Sequence, residues 1–100
     1  MIIRGTTPTL EFTIPFDTGI IDEAFVTLAQ NEVIIIDKPL AECECSESKL
    51  SVRLTQEETL LLDCDCKTEI QIRVKTKEGD AMASFPITVD TGRILKDGAI

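Results

Sequence analysis

Hydrophobic and polar positions alternate with a period near two through several separate segments of the chain. Leu10, Phe12 and Ile14 interleave with Thr9, Glu11 and Thr13, which puts the apolar set on one face of a first strand ended by Pro15. Beyond the turn signal Asp17-Thr18-Gly19, residues 24–30 are rich in strand formers, with Val26 and Leu28 on one face and Phe25 and Thr27 on the other. Asn31-Glu32 predicts a tight hairpin connection into Val33-Ile34-Ile35-Ile36. A continuous β-branched run of that kind is expected where both strand faces are covered or one face meets a partner. Asp37-Lys38-Pro39 closes it.

Two further alternations are clearer still. Leu50, Val52 and Leu54 stand against Lys49, Ser51 and Arg53, and Ile70, Ile72 and Val74 against Gln71, Arg73 and Lys75, so each predicted strand has one wet face. After the turn Glu78-Gly79-Asp80, residues 81–89 place Ala83, Phe85, Ile87 and Val89 on one face, while Pro86 predicts an edge strand or a bulge. The single helical signal is Thr55-Gln56-Glu57-Glu58, where Thr55 caps and Glu58 completes a capping box. Leu60 or Leu61 is then expected to plug the open end of a core. The expected core is Phe12, Val26, Leu28, Leu50, Val52, Leu54, Ile70, Ile72, Val74, Phe85 and Ile87.

These elements predict an all-β fold, an immunoglobulin-like β-sandwich of about seven strands with one short helical turn near residues 56–61. One domain is expected over residues 1–92, followed by a loose C-terminal tail over 93–100. A length of 100 residues allows only one core.

Composition removes several function classes. Eighteen acids against ten bases leave a net charge of -8, which opposes binding to a phosphate backbone or an anionic membrane. His, Trp and Tyr are absent, so an imidazole base, a phenol acid or an indole stacking platform cannot contribute. The N-terminus lacks the apolar core of a secretory signal, and no stretch approaches the roughly 20 apolar residues of a membrane-spanning helix. The chain is therefore expected to be made and kept in a cytosol, where its cysteines stay reduced.

Cys43-Glu44-Cys45 and Cys64-Asp65-Cys66 form the one arrangement with chemical potential, since four thiolates can enclose a tetrahedral zinc. Thiols two apart on a strand share a face instead of closing a knuckle, so packed or free thiols are the expectation and no metal or cofactor is assigned. Glu44 and Asp65 are expected to raise the neighbouring thiol pKa values by like-charge repulsion. The acids of residues 41–66 include no Asp-x-Asp-x-Asp-Gly calcium loop, and a run of charge is ordinarily a solvated face. Arg73, Lys75 and Lys77 make a basic strip without the aromatic neighbours of a nucleic-acid reader. No catalytic residue is assigned. The remaining binding resource is the apolar run itself, so Ile34 and Ile36 are the candidate protein-binding residues, of which one meets a partner while the other is free to be core.

The stretch from Leu50 to Thr59, leading to Asp63-Cys64, resembles the strand, helical corner and strand between the fifth and sixth strands of immunoglobulin-like domains; Leu62 stands where that family carries its corner Tyr. A wider resemblance rests on the opening from Ile3 to Asp17, the corner Leu54-Thr55-Gln56-Glu57-Glu58-Thr59, and Ile70 to Val74 before Gly79-Asp80-Ala81-Met82-Ala83-Ser84. These are similar to small prophage-encoded proteins of Gram-positive bacteria. The Arg4-Gly5-Thr6 opening with its alternating strand more remotely resembles the N-terminal β-sandwich of phage baseplate upper proteins. The resemblance implies a non-enzymatic structural or adaptor module of a phage tail or baseplate. It would bind other subunits or its own copies, in the virion or the bacterial host cytoplasm. Two other readings are an acidic regulatory inhibitor of a basic host protein and a small zinc-stabilised domain.

Overall fold

A computed structural model describes residues 1–100 and is all-β. Ten strands form: β1 (Ile2–Ile3), β2 (Thr9–Thr13), β3 (Ile21–Gln30), β4 (Val33–Pro39), β5 (Cys43–Ser46), β6 (Lys49–Arg53), β7 (Thr68–Thr76), β8 (Ala81–Ala83), β9 (Ile87–Val89) and β10 (Thr91–Gly92), with one α-helix, α1 (Gln56–Leu60). One sheet has the order β2-β6-β5, and a second has β4-β3-β7 with β8 and β9 both pairing on the far side of β7. A third, parallel pair joins β1 to β10 and so ties the start of the chain to residues near its end.

Two of the strands beyond the expected seven have identifiable causes. Cys43-Glu44-Cys45-Ser46 pairs with β6 as a hairpin that turns at Glu47, which holds a φ of 52°. Thr18 fixes that turn by donating both its backbone N–H (2.6 Å) and its hydroxyl (2.8 Å) to the Glu47 carbonyl. The expected strand over 81–89 is split in two, because Phe85 and Pro86 bulge outward opposite Gln71. At the break Ser84 stands in for backbone pairing: its N–H donates to the Ile72 carbonyl at 3.0 Å and its hydroxyl accepts from the Ile72 N–H at 3.2 Å.

The apolar faces of the two larger sheets share one core. Val26 and Leu28 from β3 and Ile70, Ile72 and Val74 from β7 meet Leu50 and Val52 from β6, with Leu54 just beyond it. Phe12, expected inside, is half-buried against this cluster. Two expected core members are corrected outright: Phe85 is 92% exposed and Ile87 55% exposed. The Pro86 bulge takes Phe85 out of the alternation, and β9 is an edge strand with no neighbour to cover Ile87.

Helix α1 begins as its sequence specifies. The Thr55 N–H donates to Glu58 Oε1 at 2.8 Å, and the Glu58 N–H donates to Thr55 Oγ1 at 3.1 Å, which satisfies two donors left over at a helix start. The residues that plug the core are Thr59 and Leu62, both fully buried, whereas Leu61 is 65% exposed and Leu60 half-buried. Arg4 closes the other end of the helix, donating from Nε to the Leu62 carbonyl (2.7 Å) and from Nη2 to the Leu60 carbonyl (3.0 Å). Residues 93–100 carry no regular element, yet Asp97 pairs with Arg4 at 3.2 Å and the Ile100 N–H reaches Gln56 Oε1 at 2.9 Å.

Candidate functional site

The two sequence-predicted binding residues lie on β4, an outer strand of the five-stranded sheet, and they point to opposite faces. Leu28 pairs with Ile36, but the next residue of β3, Ala29, pairs with Ile34, so Ile35 is an extra residue in β4. Such a bulge breaks the period of two. Ile36 follows its partner Leu28 inward and is 4% exposed, while Ile34 lies opposite outward-facing Ala29 and is 62% exposed. Ile36 is therefore a core residue and not a contact for a partner; a regular strand would have put both isoleucines on one face. Beside Ile34, Val33 is also exposed.

Both ends of β4 are held firmly. At its start, Asn31 and Glu32 take φ values of 50° and 66°, the two left-handed residues of a tight hairpin turn whose twist suits the strands. The root of that hairpin is Gln30, a buried polar hub invisible in the hydrophobic pattern. Its side-chain oxygen accepts from the Asp63 N–H at 2.8 Å, and its amide donates to the Asp63 carbonyl at 2.9 Å and to Thr68 Oγ1 at 3.2 Å. Thr68 in turn shares a 2.7 Å hydrogen bond with Thr91. The only advance signal was a glutamine on the apolar side of the residues 24–30 alternation.

At the other end, Lys38 faces inward with Val26 and is buried. Its ammonium lies 2.8 Å from Glu58 and 3.8 Å from Glu42, so the capping-box carboxylate also neutralises a cation from the opposite sheet. Burial alone pushes the Glu58 pKa up, but the hydrogen bonds from Lys38 and the Thr55 N–H, with the Lys38 charge, outweigh it and hold the carboxyl below its ordinary value. Asp37 remains on the outer face, accepting from Thr27 Oγ1 at 2.8 Å.

The cysteines divide between two places. Cys43 and Cys45 lie on β5, and Cys64 and Cys66 lie in the segment between α1 and β7; all four are free thiols. The side chains whose potential ligand atoms fall within 4.8 Å of one another are Asp63, Cys64 and Asp65, not the four sulfurs. The Cys43 thiol donates to the Pro39 carbonyl at 3.4 Å. Its pKa is raised, first by burial and then by Cys45 and Glu42, against a smaller opposing effect of Lys38. Glu44, expected to be the cause, takes no part, because it alternates to the other face of β5.

The far edge of the same sheet is formed by β8 and β9, with the Phe85-Pro86 bulge between them. A shallow groove of about 410 Å³ runs over its outer face, lined by Phe25, Arg73, Lys75, Ala81, Met82 and Ala83 among others. The ion pairs of the molecule use Arg4, Lys38, Lys49 and Lys67; Arg73 is in none of them, and Lys75 stands across from Glu23 in the β3–β7 register. No helix is long and apolar enough to cross a membrane. Neither a protein-family model, a curated protein nor a solved structure matches the chain.

Proposed function

We propose that the chain is a non-enzymatic structural or adaptor module of phage or prophage origin, built as an immunoglobulin-like β-sandwich and associated with a tail or baseplate, which acts by binding protein. It would work in the virion or in the bacterial host cytoplasm. The observation that carries this reading is the exposure of Ile34 beside Val33 on an outer strand. An aliphatic pair next to unpaired backbone groups is a surface that proteins ordinarily avoid unless something covers it. Strand edges also recognise partners by main-chain pairing, with alternate side chains supplying specificity.

The test compares two neighbouring residues. Affinity capture of the tagged chain from cells assembling phage particles should recover tail subunits with the wild type and lose them with Ile34→Lys, whose melting temperature should stay within a few degrees. Ile36→Lys should unfold the domain, because it would bury a charge in the core. Retention of the same partners by Ile34→Lys would remove β4 as the binding edge. Stoichiometric capture of a single basic host enzyme in their place would favour an acidic inhibitor.

A further inference from the structure

The strands of the five-stranded sheet register in rows that run from one edge to the other. On the outer face, Ile34 lies in a row with Ala29, Glu69 and Thr88, and Pro39 in a row with Phe25, Arg73 and Ala83. On the inner face, Val33 pairs with Gln30, whose amide donates to Thr68, and Thr68 pairs with Val89. The strand directions alternate throughout, since β3 is antiparallel to both β4 and β7, and β7 is antiparallel to β8 and β9. A second copy displaced sideways, without being turned over, therefore brings its β4 against β8 and β9 in the antiparallel sense that the sheet already uses.

From this we infer that copies of the chain associate head to tail, the β4 edge of one covering the β8–β9 edge of the next. The inference rests on the reading of β4 as a binding edge and adds what covers it. Two features of the side chains fit. In the shared register, Val33 of one copy stands level with Val89 and diagonal to Ile87 of its neighbour, and these edges expose Val33 by 59% and Ile87 by 55%. On the outer face, the row of Asp37 in one copy adjoins the row of Arg73 in the other. Ala83, which pairs with Arg73 and ends that row at the edge, contributes only a methyl group.

In a protein of net charge -8, Asp37 and Arg73 supply opposite charges at this contact, and Asp90, level with Glu32 of the adjoining copy, is already neutralised by Lys67 at 3.5 Å. Exposed Glu32 and Asp37 flank the aliphatic residues of β4, whose single cation, Lys38, is neutralised inside by Glu58. Arg73, one strand in from the other edge and across from Ala83, is in no ion pair of its own chain. The contact joins two different surfaces, so it leaves a free edge at each end and extends into rows instead of closing as a two-fold dimer. The Ile35 bulge, Pro39 and the Phe85-Pro86 break restrict backbone pairing to short stretches. Association is therefore reversible and carried largely by side chains.

Sedimentation velocity on the purified chain, at an ionic strength that screens the net repulsion beyond about 8 Å, tests this directly. The weight-average mass should rise past that of a dimer as concentration increases. Val33→Lys and Ile87→Lys should each be monomeric with melting temperatures within a few degrees of wild type. An equimolar mixture of the two should form dimers and nothing larger, because each contributes one intact edge. Arg73→Glu should weaken association, and adding Asp37→Arg to it should restore most of the loss. A wild-type chain that stays monomeric at every concentration, single variants that still associate, or a mixture that stays monomeric would each overturn head-to-tail pairing. This outcome is separable from failure of the binding-edge reading, which shows instead as Ile34→Lys keeping its captured partners.

Discussion

Buried polar residues set the behaviour of this protein at the scale of single side chains. Gln30 satisfies both atoms of its amide, and replacing it with Leu, of similar size, would leave the Asp63 N–H and the Thr68 and Thr91 hydroxyls short of a partner. An unmatched buried donor costs about 1–3 kcal/mol, so Gln30→Leu should lower unfolding stability by about that much in urea titration despite its greater apolarity. Lys38 makes a related case with a pH signature. Because the Glu58 pKa is lowered in the folded state, its contribution is complete above the unfolded-state pKa and is lost as the pH falls through the lowered folded value. Glu58→Gln should destabilise the protein at pH 7 and flatten its stability profile across that acid range. Chemical denaturation at a series of pH values measures both effects, and a variant curve parallel to wild type would show that Lys38 draws its compensation from Glu42 instead.

Elements form where local chemistry and the two-residue period agree, and they depart from expectation where a single residue interrupts that period. The strands over 24–30, 50–54 and 70–74 were legible because every inward position before Gln30 is aliphatic, while the outward ones are polar or charged except Phe25 and Ala29. The helix was legible from Thr55 and Glu58 alone. Position 36 was not distinguishable from 34, since an inserted residue at Ile35 has no side-chain signature in a run of four β-branched residues. Phe85 and Ile87 misled because alternation continues on paper through Pro86, while the backbone bulges there. Lys38 and Thr59, both buried, have polarity that argues for the surface until their partners from distant segments are known. Thus most of the scaffold of the candidate site could be read, but its facing could not. Two predictions belong here. Ile72→Ala should cost about 2–4 kcal/mol by lost transfer energy and cavity formation, whereas Ser51→Ala on the outward face of β6 should change stability by less than about 0.5 kcal/mol. Glu32 holds a φ of 66°, so Glu32→Gly should stabilise the hairpin by about 0.5–1 kcal/mol, the left-handed strain relieved exceeding the added freedom of the unfolded chain. Thermal melts decide both.

As a whole, the molecule is a thin slab of 46 × 26 × 16 Å with 21 of its 100 residues buried. Two stacked sheets lie about 10 Å apart, so a slab this thin has a single layer of side chains between them and no deeper interior. Its resistance to opening must then be graded by how many sides of a strand are paired. Strand β7 pairs with β3 on one side and with β8 and β9 on the other, β3 lies between β4 and β7, and β6 lies between β2 and β5. These three carry most of the core, so their amides should exchange with solvent only through global unfolding. The short strands β8 and β10 and residues 93–100 have few buried apolar contacts to lose and should exchange through local opening at much lower free energy. Native-state hydrogen exchange on the Val33→Lys chain, which the proposed head-to-tail contact predicts to be monomeric, would resolve the gradient. Equal protection across β7 and β8 would mean that the sheet opens as one unit. Its free edge would then be as rigid as its centre, and a partner would meet a preformed surface instead of one that it must order.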